Sequence, residues 1–256
     1  MNITSRYITI NGIKIYCETN NGPAGNGVIV CLGSAGRETR QFHGLMDALS
    51  EEYEVAAFDM PGHGKSWPLK GNTAIGEFRA YGDFMLETVA AMGIRNPVYI
   101  GCALGGNMVF YLAQHGPARG VEARALVAMA GLDYSPNVNP AVAEMLNHPY
   151  CSVQHSHLDF TEALIGGAAS PENKEFILWG VRTETGVVKA ADYAGVYNGF
   201  DVREGMGTIT CPVLMLRGEQ DWTTHDKSLR ETMARLTAAR LEYKVLPGLG
   251  HYAVQE

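Results

Sequence analysis

Short runs of apolar residues alternate along this chain with longer stretches in which apolar positions recur at helical spacing. The apolar runs predict strands over six segments: Val28–Leu32, Tyr53–Phe58, Pro97–Gly101, Ala123–Ala130, Cys211–Leu216 and Leu241–Leu246. Helices are predicted over Phe42–Ser50, Glu77–Met92, Gly105–His115 and Lys227–Ala238. Near the N-terminus, Tyr7–Cys17 alternates around Asn11-Gly12, a pair typical of hairpin turns. This order indicates an α/β fold with a mainly parallel central sheet and helices on both faces.

The regular alternation is lost between residues 133 and 205, where Asn, Pro, Gly and His become frequent. Within this stretch, Asn173–Arg182 and Ala190–Tyr197 have helical character. An insertion at this point, late in the sheet, would cover the carboxyl ends of the strands. We therefore expect a core domain made of residues 1–132 and 206–256 and a helical lid made of residues 133–205.

The composition suits one globular domain: 46% of the 256 residues are hydrophobic, 18% are charged, and the net charge is −7. No apolar run is long enough to span a membrane, and no stretch is rich enough in Lys and Arg to favour nucleic acid. The five cysteines are scattered without a CxxC pair, which argues against a disulfide framework or a structural zinc site. Since no secretory signal is recognisable either, we expect a cytoplasmic protein.

The sharpest motif is the segment Ile100-Gly101-Cys102-Ala103-Leu104-Gly105-Gly106, between a predicted strand and a predicted helix. This is the context of a G-x-S-x-G nucleophile elbow, a strained turn that points its central residue outward. Gly101 and Gly105 provide the clearance that such a turn needs. By this register the central residue is Ala103. Cys102 is one position early, and as a nucleophile it would put bulky residues where the glycines belong, so it is kept as the second interpretation.

Two further motifs follow later strands. Asp221 comes soon after the strand predicted at Cys211–Leu216, where a catalytic carboxylate is expected, and Asp133, after the preceding strand, is the alternative acid. His251 follows the last predicted strand and is preceded by glycine, which favours a catalytic role. His63 lies in a turn-rich loop and is interpreted as structural.

Together these motifs resemble the α/β-hydrolase superfamily over nearly the whole chain. The resemblance is strongest to its small lid-bearing group, which includes lactonases, carboxylesterases and meta-cleavage-product hydrolases. Elbow, acid and histidine follow one another in the family's order. The run Asp59-Met60-Pro61-Gly62-His63-Gly64-Lys65-Ser66 matches the group's D-x-P-G-x-G-x-S loop, and Leu32-Gly33-Ser34 occupies its His-Gly-x oxyanion segment. The elbow departs from the family pattern at its centre, where Ala103 stands in place of the nucleophile.

The resemblance implies a role for each of these residues. Asp221 would orient His251, and His251 would take the proton of a serine at position 103 and return it to the leaving group. The backbone N–H groups of Ser34 and Leu104 would bind the oxyanion. No metal or organic cofactor is implied, and the sequence has neither a dinucleotide-binding glycine motif nor a P-loop.

An alanine at position 103 cannot attack a carbonyl, because its side chain has neither a lone pair nor an ionisable proton. Two explanations are open: an engineered Ser→Ala substitution that keeps a bound substrate intact, or a natural non-enzymatic relative that acts as a ligand receptor. We favour the substitution because Asp221, His251 and the elbow glycines are all retained. The chain is therefore interpreted as the inactive form of a serine hydrolase that cleaves a small ester or lactone through an acyl-enzyme.

A second enzymatic interpretation is hydrolysis of a C–C bond in a vinylogous diketone. Relatives with that activity usually hold a substrate carboxylate with a lid arginine, and Arg37 and Arg182 are the candidates for that role here. The third interpretation is the receptor without activity.

Several apolar residues are predicted to bind the small-molecule substrate. From the lid these are Trp179, Tyr193 and Tyr197, with Phe176 beside them, and from the strand ends Met129 and Trp222. An equal alternative is that the aromatic residues form only the core of the lid itself.

Overall fold

A computed structural model of the chain describes residues 2–66, 74–135, 153–184 and 186–256. In these ranges eight strands form one sheet, in the order β1-β2-β4-β3-β5-β6-β7-β8. The strands are β1 Thr4–Ile10, β2 Ile13–Thr19, β3 Val28–Leu32, β4 Glu54–Phe58, β5 Val98–Cys102, β6 Ala125–Met129, β7 Val213–Gly218 and β8 Leu241–Leu246. The β1–β2 and β2–β4 pairs are antiparallel and the other pairs are parallel. The predicted α/β-hydrolase fold class is confirmed.

Helices flank the sheet. They are α1 His43–Ala48, α2 Phe78–Ala91, α3 Leu104–His115, α4 Val153–Ala163, α5 Pro171–Thr183, α6 Gly186–Ala191 and α7 Asp226–Arg235. A π-helix, Asp192–Tyr197, continues α6. Several begin at local signals that the sequence carries: the carboxylate of Glu77 accepts from the first N–H groups of α2, and the hydroxyl of Ser170 caps α5 ahead of Pro171.

The two faces of the sheet bury alternate residues of the same strands. Val30, Tyr99 and Met215 belong to the apolar core that includes residues of α2 and α3. Ile100 and Met129 belong to a second core, on the other face, which includes residues of α1. The direction of each side chain is therefore set by its register in the strand.

Parallel pairing brings the functional loops together. Leu32 of β3 lies opposite Gly101 of β5, and Cys102 lies opposite Met129 of β6. Because the carboxyl ends of parallel strands meet at one edge of a sheet, the loops after β3, β5, β7 and β8 converge there.

The segment between β6 and β7 differs most from its prediction. Helix α4 was not predicted, and the helix expected over Ala190–Tyr197 is divided between α6 and the π-helix. Residues 136–152, part of the expected lid, lie outside the described residues, and the lid boundaries at 133 and 205 stay a prediction.

Cysteine burial follows the strand pattern. Cys17, Cys31 and Cys102 are buried free thiols and Cys211 is half-buried, whereas Cys151 lies outside the described residues. None of the helices in the described part of the chain combines the length and apolar character that crossing a bilayer requires.

Candidate active site

The turn between β5 and α3 has the backbone of a nucleophile elbow. Ala103 adopts φ 52° and ψ −112°, a conformation that a residue with a Cβ rarely adopts. A side chain at Gly101 would clash with the backbone of Gly105, and one at Gly105 would clash with the carbonyl of Leu32. The glycines therefore permit the close approach of α3 to the strands, and Ala103 stands where the nucleophile would be.

Cys102 is excluded as the substitute nucleophile. Its side chain is fully buried, with Sγ 3.8 Å from the carbonyl oxygen of His251. Burial raises the pKa of the Cys102 thiol to about 11, so the reactive thiolate is suppressed at neutral pH.

Asp221 and His251 form the pair that the chain order predicts. Oδ2 of Asp221 lies 3.0 Å from Nδ1 of His251. The other carboxylate oxygen accepts hydrogen bonds from Oγ1 and the backbone N–H of Thr223, at 2.7 and 2.9 Å. Because an ionised carboxylate can only accept, the proton of the imidazole belongs on Nδ1, and Nε2 is left as the basic nitrogen.

The carboxyl group of Asp221 is held in its charged form. Burial by itself raises the pKa of Asp221, but the hydrogen bonds from His251 and Thr223 and the charge of His251 outweigh it. The pKa therefore lies well below its usual range, and Asp221 is ionised at neutral pH.

Asp133, the alternative acid, is engaged elsewhere. It is fully buried and accepts a hydrogen bond of 2.8 Å from the hydroxyl of Thr232 and one of 2.9 Å from Arg235. These bonds connect the loop after β6 to helix α7, which is a structural role.

The expected oxyanion site is only partly available. Leu104 is the first residue of α3, so its N–H has no carbonyl four residues earlier to bind in the helix. The N–H of Ser34, however, donates to Oε1 of Gln41 at 3.0 Å, and Nε2 of Gln41 donates to the hydroxyl of Ser34 at 2.9 Å. In this structure the N–H of Ser34 is therefore occupied by Gln41, and its role in binding the oxyanion stays a prediction.

Ala103 and His251 line a cavity of about 160 Å³ at the carboxyl edge of the sheet. Its lining includes core loops and residues of the segment between β6 and β7: Ser34, Ala35, Arg37, Ala103, Leu104, Phe160, Leu164, Lys189, Tyr193, Tyr197, Thr223, His251 and Tyr252. The elbow position, the histidine and both predicted lid tyrosines thus line the same cavity.

A family model described as the alpha/beta hydrolase family matches residues 29–256. The chain belongs to the alpha/beta hydrolase family. Among curated relatives, the chain is 26% identical to a non-heme haloperoxidase of Rhodococcus erythropolis. This match covers 81% of the chain and 78% of the relative. It is 28% identical to the dihydrolipoyllysine-residue acetyltransferase component of the acetoin cleaving system of Cupriavidus necator. That match covers 52% of this chain and only 34% of the relative.

Solved structures of the hydrolase family share the fold. The enol-lactonase of Burkholderia xenovorans LB400 superposes with a TM-score of 0.79 at 20% identity, over 97% of this chain and 93% of the other. At this identity the likeness establishes the fold alone.

Four residues predicted to bind substrate, Met129, Trp222, Trp179 and Phe176, are not among those that line the cavity. The side chain of Met129 packs in the second apolar core, which includes residues of α1. Trp222 is 51% exposed, and its Nε1 donates to the carbonyl of Ala163 at 2.9 Å. Trp179 is 37% exposed, with the guanidinium of Arg40 3.9 Å from its ring centroid, and Phe176 stacks on it. Nearness to a strand end was the reason for predicting the first two, and it does not fix the direction of a side chain.

Two cationic residues, Arg37 and Lys189, line the cavity, and only Arg37 was predicted. Arg37 was one of two candidates to hold a carboxylate and lines the cavity. Arg182, the other, is exposed and pairs with Glu175 at 3.2 Å. Lys189 was not predicted at all, although its place in an otherwise apolar helical stretch was the sequence signal that could have identified it.

His63 lies in a buried connection between three segments. Its Nε2 is 2.7 Å from Oδ2 of Asp192 in the π-helix, and its Nδ1 is 3.1 Å from the carbonyl of Pro61. The same oxygen of Asp192 accepts from the N–H of Gly36 at 2.7 Å. Since both partners of the ring accept hydrogen bonds, both ring nitrogens of His63 carry protons and the pair is ionic.

Among the residues in the described ranges, no group of three or more His, Cys, Asp and Glu side chains is placed to hold a metal ion.

Proposed function

We propose that this chain is a serine hydrolase of a small ester or lactone in which alanine stands at the nucleophile position. The observation that carries the proposal is the backbone of Ala103, which keeps the strained elbow conformation at a cavity also lined by His251. The pairing of His251 with the ionised Asp221 supports it. The cavity volume favours a small substrate, and the structural neighbour named as an enol-lactonase is in accord with a lactone or ester.

With serine at position 103, the reaction would proceed through an acyl-enzyme. Nε2 of His251 accepts the hydroxyl proton while the oxygen attacks the carbonyl carbon, and it returns the proton to the leaving alcohol oxygen. A water molecule then attacks the ester carbonyl of the acyl-enzyme. Nε2 of His251 accepts the proton of this water and returns it to the serine oxygen. Asp221 keeps the Nδ1 proton in place and stabilises the imidazolium that forms at each step.

The negative charge on the substrate oxygen needs donors at the elbow. The N–H of Leu104 supplies one of them, as in the family pattern. The N–H of Ser34 becomes the second only when the side chain of Gln41 rotates away from it. Each such donor contributes roughly 2.7–4 kcal/mol to the stability of the transition state.

In the chain as it stands, Ala103 leaves His251 without a proton to accept. Loss of the nucleophile from a triad costs on the order of 10⁶ in kcat. The site therefore binds its ligand without cleaving it.

The test is the Ala103→Ser variant, assayed on p-nitrophenyl acetate and on a panel of small lactones. We expect hydrolysis with a burst of acyl-enzyme, and no hydrolysis by the matched double variant that also carries His251→Ala. If Ala103→Ser cleaves no member of the panel, the serine hydrolase proposal fails. Ligand binding without activity would then favour the receptor, and activity on vinylogous diketones alone would favour C–C hydrolysis.

A further inference from the structure

The side chain of Glu256 turns back onto the loop that carries His251. Its Oε2 accepts a hydrogen bond from the N–H of Gly250 at 2.6 Å, and its Oε1 accepts one from the N–H of Tyr252 at 3.0 Å. The two residues that flank His251 in the chain therefore donate to the same carboxylate. Because these N–H groups lie on either side of His251, the two bonds fix the backbone from which its imidazole projects.

The same carboxylate binds the segment that follows α4. The N–H of Gly166 donates to Oε2 of Glu256 at 2.9 Å, and the N–H of His251 donates to the carbonyl of Leu164 at 2.9 Å. Leu164 also lines the cavity. The histidine loop and the segment between β6 and β7 are therefore held together by Glu256 as well as by the backbone of His251 itself.

Glycines let these two backbones approach each other closely. Gly166 and Gly250 are both buried. A side chain at Gly166 would clash with the backbone of residues 248–250, and one at Gly250 would clash with the carbonyl of Leu164. A buried backbone N–H at such a contact needs an acceptor. The carboxylate of Glu256 is that acceptor for both glycines.

Three converging donors favour a carboxylate at this place. An ionised carboxylate has two oxygens that only accept hydrogen bonds, whereas an amide has one oxygen and turns an NH₂ group toward the remaining donors. Hydrogen bonds to a charged acceptor are also shorter and stronger than those between neutral groups. The N–H groups of Gly166, Gly250 and Tyr252 thus match a glutamate, and a glutamine could accept from only part of the set.

We propose that Glu256 is a positioning residue for His251. Glu256 is not among the described residues that line the cavity, so it acts through the histidine and not on the ligand. The 3.0 Å contact between Nδ1 of His251 and Asp221 sets the rotation of the ring, and Glu256 sets the position of its backbone. Together they direct Nε2 toward position 103. Proton transfer at Nε2 rests on the proposed function, whereas the positioning of the ring does not.

Kinetics in the Ala103→Ser background measure this role, with p-nitrophenyl acetate as the substrate. A displacement of about 1 Å in a reacting group costs roughly 10²-fold in rate, so Glu256→Ala should lower kcat by about that factor. KM should change by less than about threefold, because the carboxylate does not touch the ligand. Glu256→Gln keeps one acceptor oxygen and should lose less, about 10-fold.

The matched control is Glu219→Ala. The side chain of Glu219 is exposed, and its Oε2 accepts from the N–H of Gly248, in the same loop, at 2.9 Å. This bond lies on the far side of the loop from Tyr252 in sequence and does not flank His251. We therefore expect Glu219→Ala to keep the kcat of the Ala103→Ser parent.

Labelling with an alkyl fluorophosphonate separates a displaced histidine from a smaller folded fraction. Carried to completion, the labelling counts the molecules with a folded site, and Glu256→Ala should reach full labelling at a reduced rate. A final labelling that falls in proportion to kcat would overturn the proposal in favour of a purely structural role. Parental kcat in Glu256→Ala, or an equal loss in Glu219→Ala, would also overturn it. If Glu256→Ala does not fold, the same criteria are applied to Glu256→Gln.

A second measurement uses the unmodified chain and is independent of hydrolysis. Long-range ¹H–¹⁵N NMR spectra of the neutral ring show which nitrogen of His251 carries the proton, and the signals are identified by their absence from His251→Ala. We expect one tautomer, protonated at Nδ1, in the unmodified chain and in Glu219→Ala, and a mixture in Glu256→Ala. Unchanged nitrogen signals in Glu256→Ala would overturn the positioning role even if Ala103→Ser is active. A mixture of tautomers together with an inert Ala103→Ser would support the positioning role and remove the hydrolase.

Discussion

Two histidine–aspartate pairs are buried in the part of the chain that the structure describes, and they are built for different ends. His251 meets Asp221 at 3.0 Å through Nδ1, lines the cavity and is 13% exposed. His63 meets Asp192 at 2.7 Å through Nε2, binds the carbonyl of Pro61 through Nδ1 and is 1% exposed. The first pair leaves Nε2 of His251 for the proposed proton transfer, and the second uses both ring nitrogens of His63 for structure.

The difference shows what a histidine needs in order to transfer protons. A ring whose second nitrogen is already bound can hold segments together but cannot accept a proton from a substrate. His63 and Asp192 hold the π-helix, which carries Tyr193, against the loop that contains Gly36. Two walls of the cavity are therefore positioned by a charge pair whose members do not line it.

The largest expected effect separates the two aspartates by activity. In the Ala103→Ser background, Asp221→Asn should lower kcat by about 10⁴, because an amide favours the wrong tautomer of His251. Esterase assays at saturating substrate measure this effect. Asp133→Asn, in the alternative acid, is the matched control and should retain most of the kcat. A larger loss in the control would reassign the acid.

Replacing His63 should lower the free energy of unfolding more than replacing His251 does. His63→Ala leaves Asp192 buried with only the N–H of Gly36, and we expect a loss of about 3–5 kcal/mol in the free energy of unfolding. His251→Ala should cost only about 1–2 kcal/mol, because Asp221 keeps its hydrogen bonds from Thr223. Urea unfolding of both variants measures this. Equal losses would contradict the division of roles.

The smallest effect is a difference in pH dependence between the pairs. Burial lowers the pKa of His63, but Asp192 outweighs it and raises the pKa above the ordinary 6.5. Its contribution to stability is therefore complete below about pH 6.5 and is lost as the pH rises through the folded pKa. The pKa of Asp221 is lowered, so its contribution is present above the ordinary 3.8 and is lost only as the pH falls through the folded pKa.

Urea unfolding of the unmodified chain and of His63→Gln across neutral and alkaline pH tests the sign. The gap between the two free energies of unfolding should narrow as the pH rises. The gap for Asp221→Asn should stay constant over the same range. A gap for His63→Gln that widens with pH would show that the buried pair is not ionic.

Much of the fold could be predicted because its signals are local. Apolar runs identified the strands, and Asn11-Gly12 marks the hairpin between β1 and β2. The elbow could be predicted because a side chain at Gly101 or Gly105 would clash with the neighbouring backbone, so both positions require glycine. The positions of Asp221 and His251 after their strands placed them at the same sheet edge.

What the sequence did not reveal depends on contacts between distant segments. The hydrogen bond between Gln41 and the N–H of Ser34 joins two polar residues that belong to no recognisable sequence motif as a pair. Helix α4 contains few apolar residues, yet it carries Phe160, which lines the cavity. The partners of Asp192, which are His63 and the N–H of Gly36, lie 129 and 156 residues earlier in the chain.

The backbone at Ala103 has a consequence for how the chain can change by mutation. The elbow already has its strained φ of 52°, so a serine at this position requires no rearrangement of the turn. In the genetic code, every alanine codon becomes a serine codon when its first base changes from G to U. The chain with alanine at this position and its proposed reactive form with serine are thus separated by one nucleotide, and ordinary point mutation connects them.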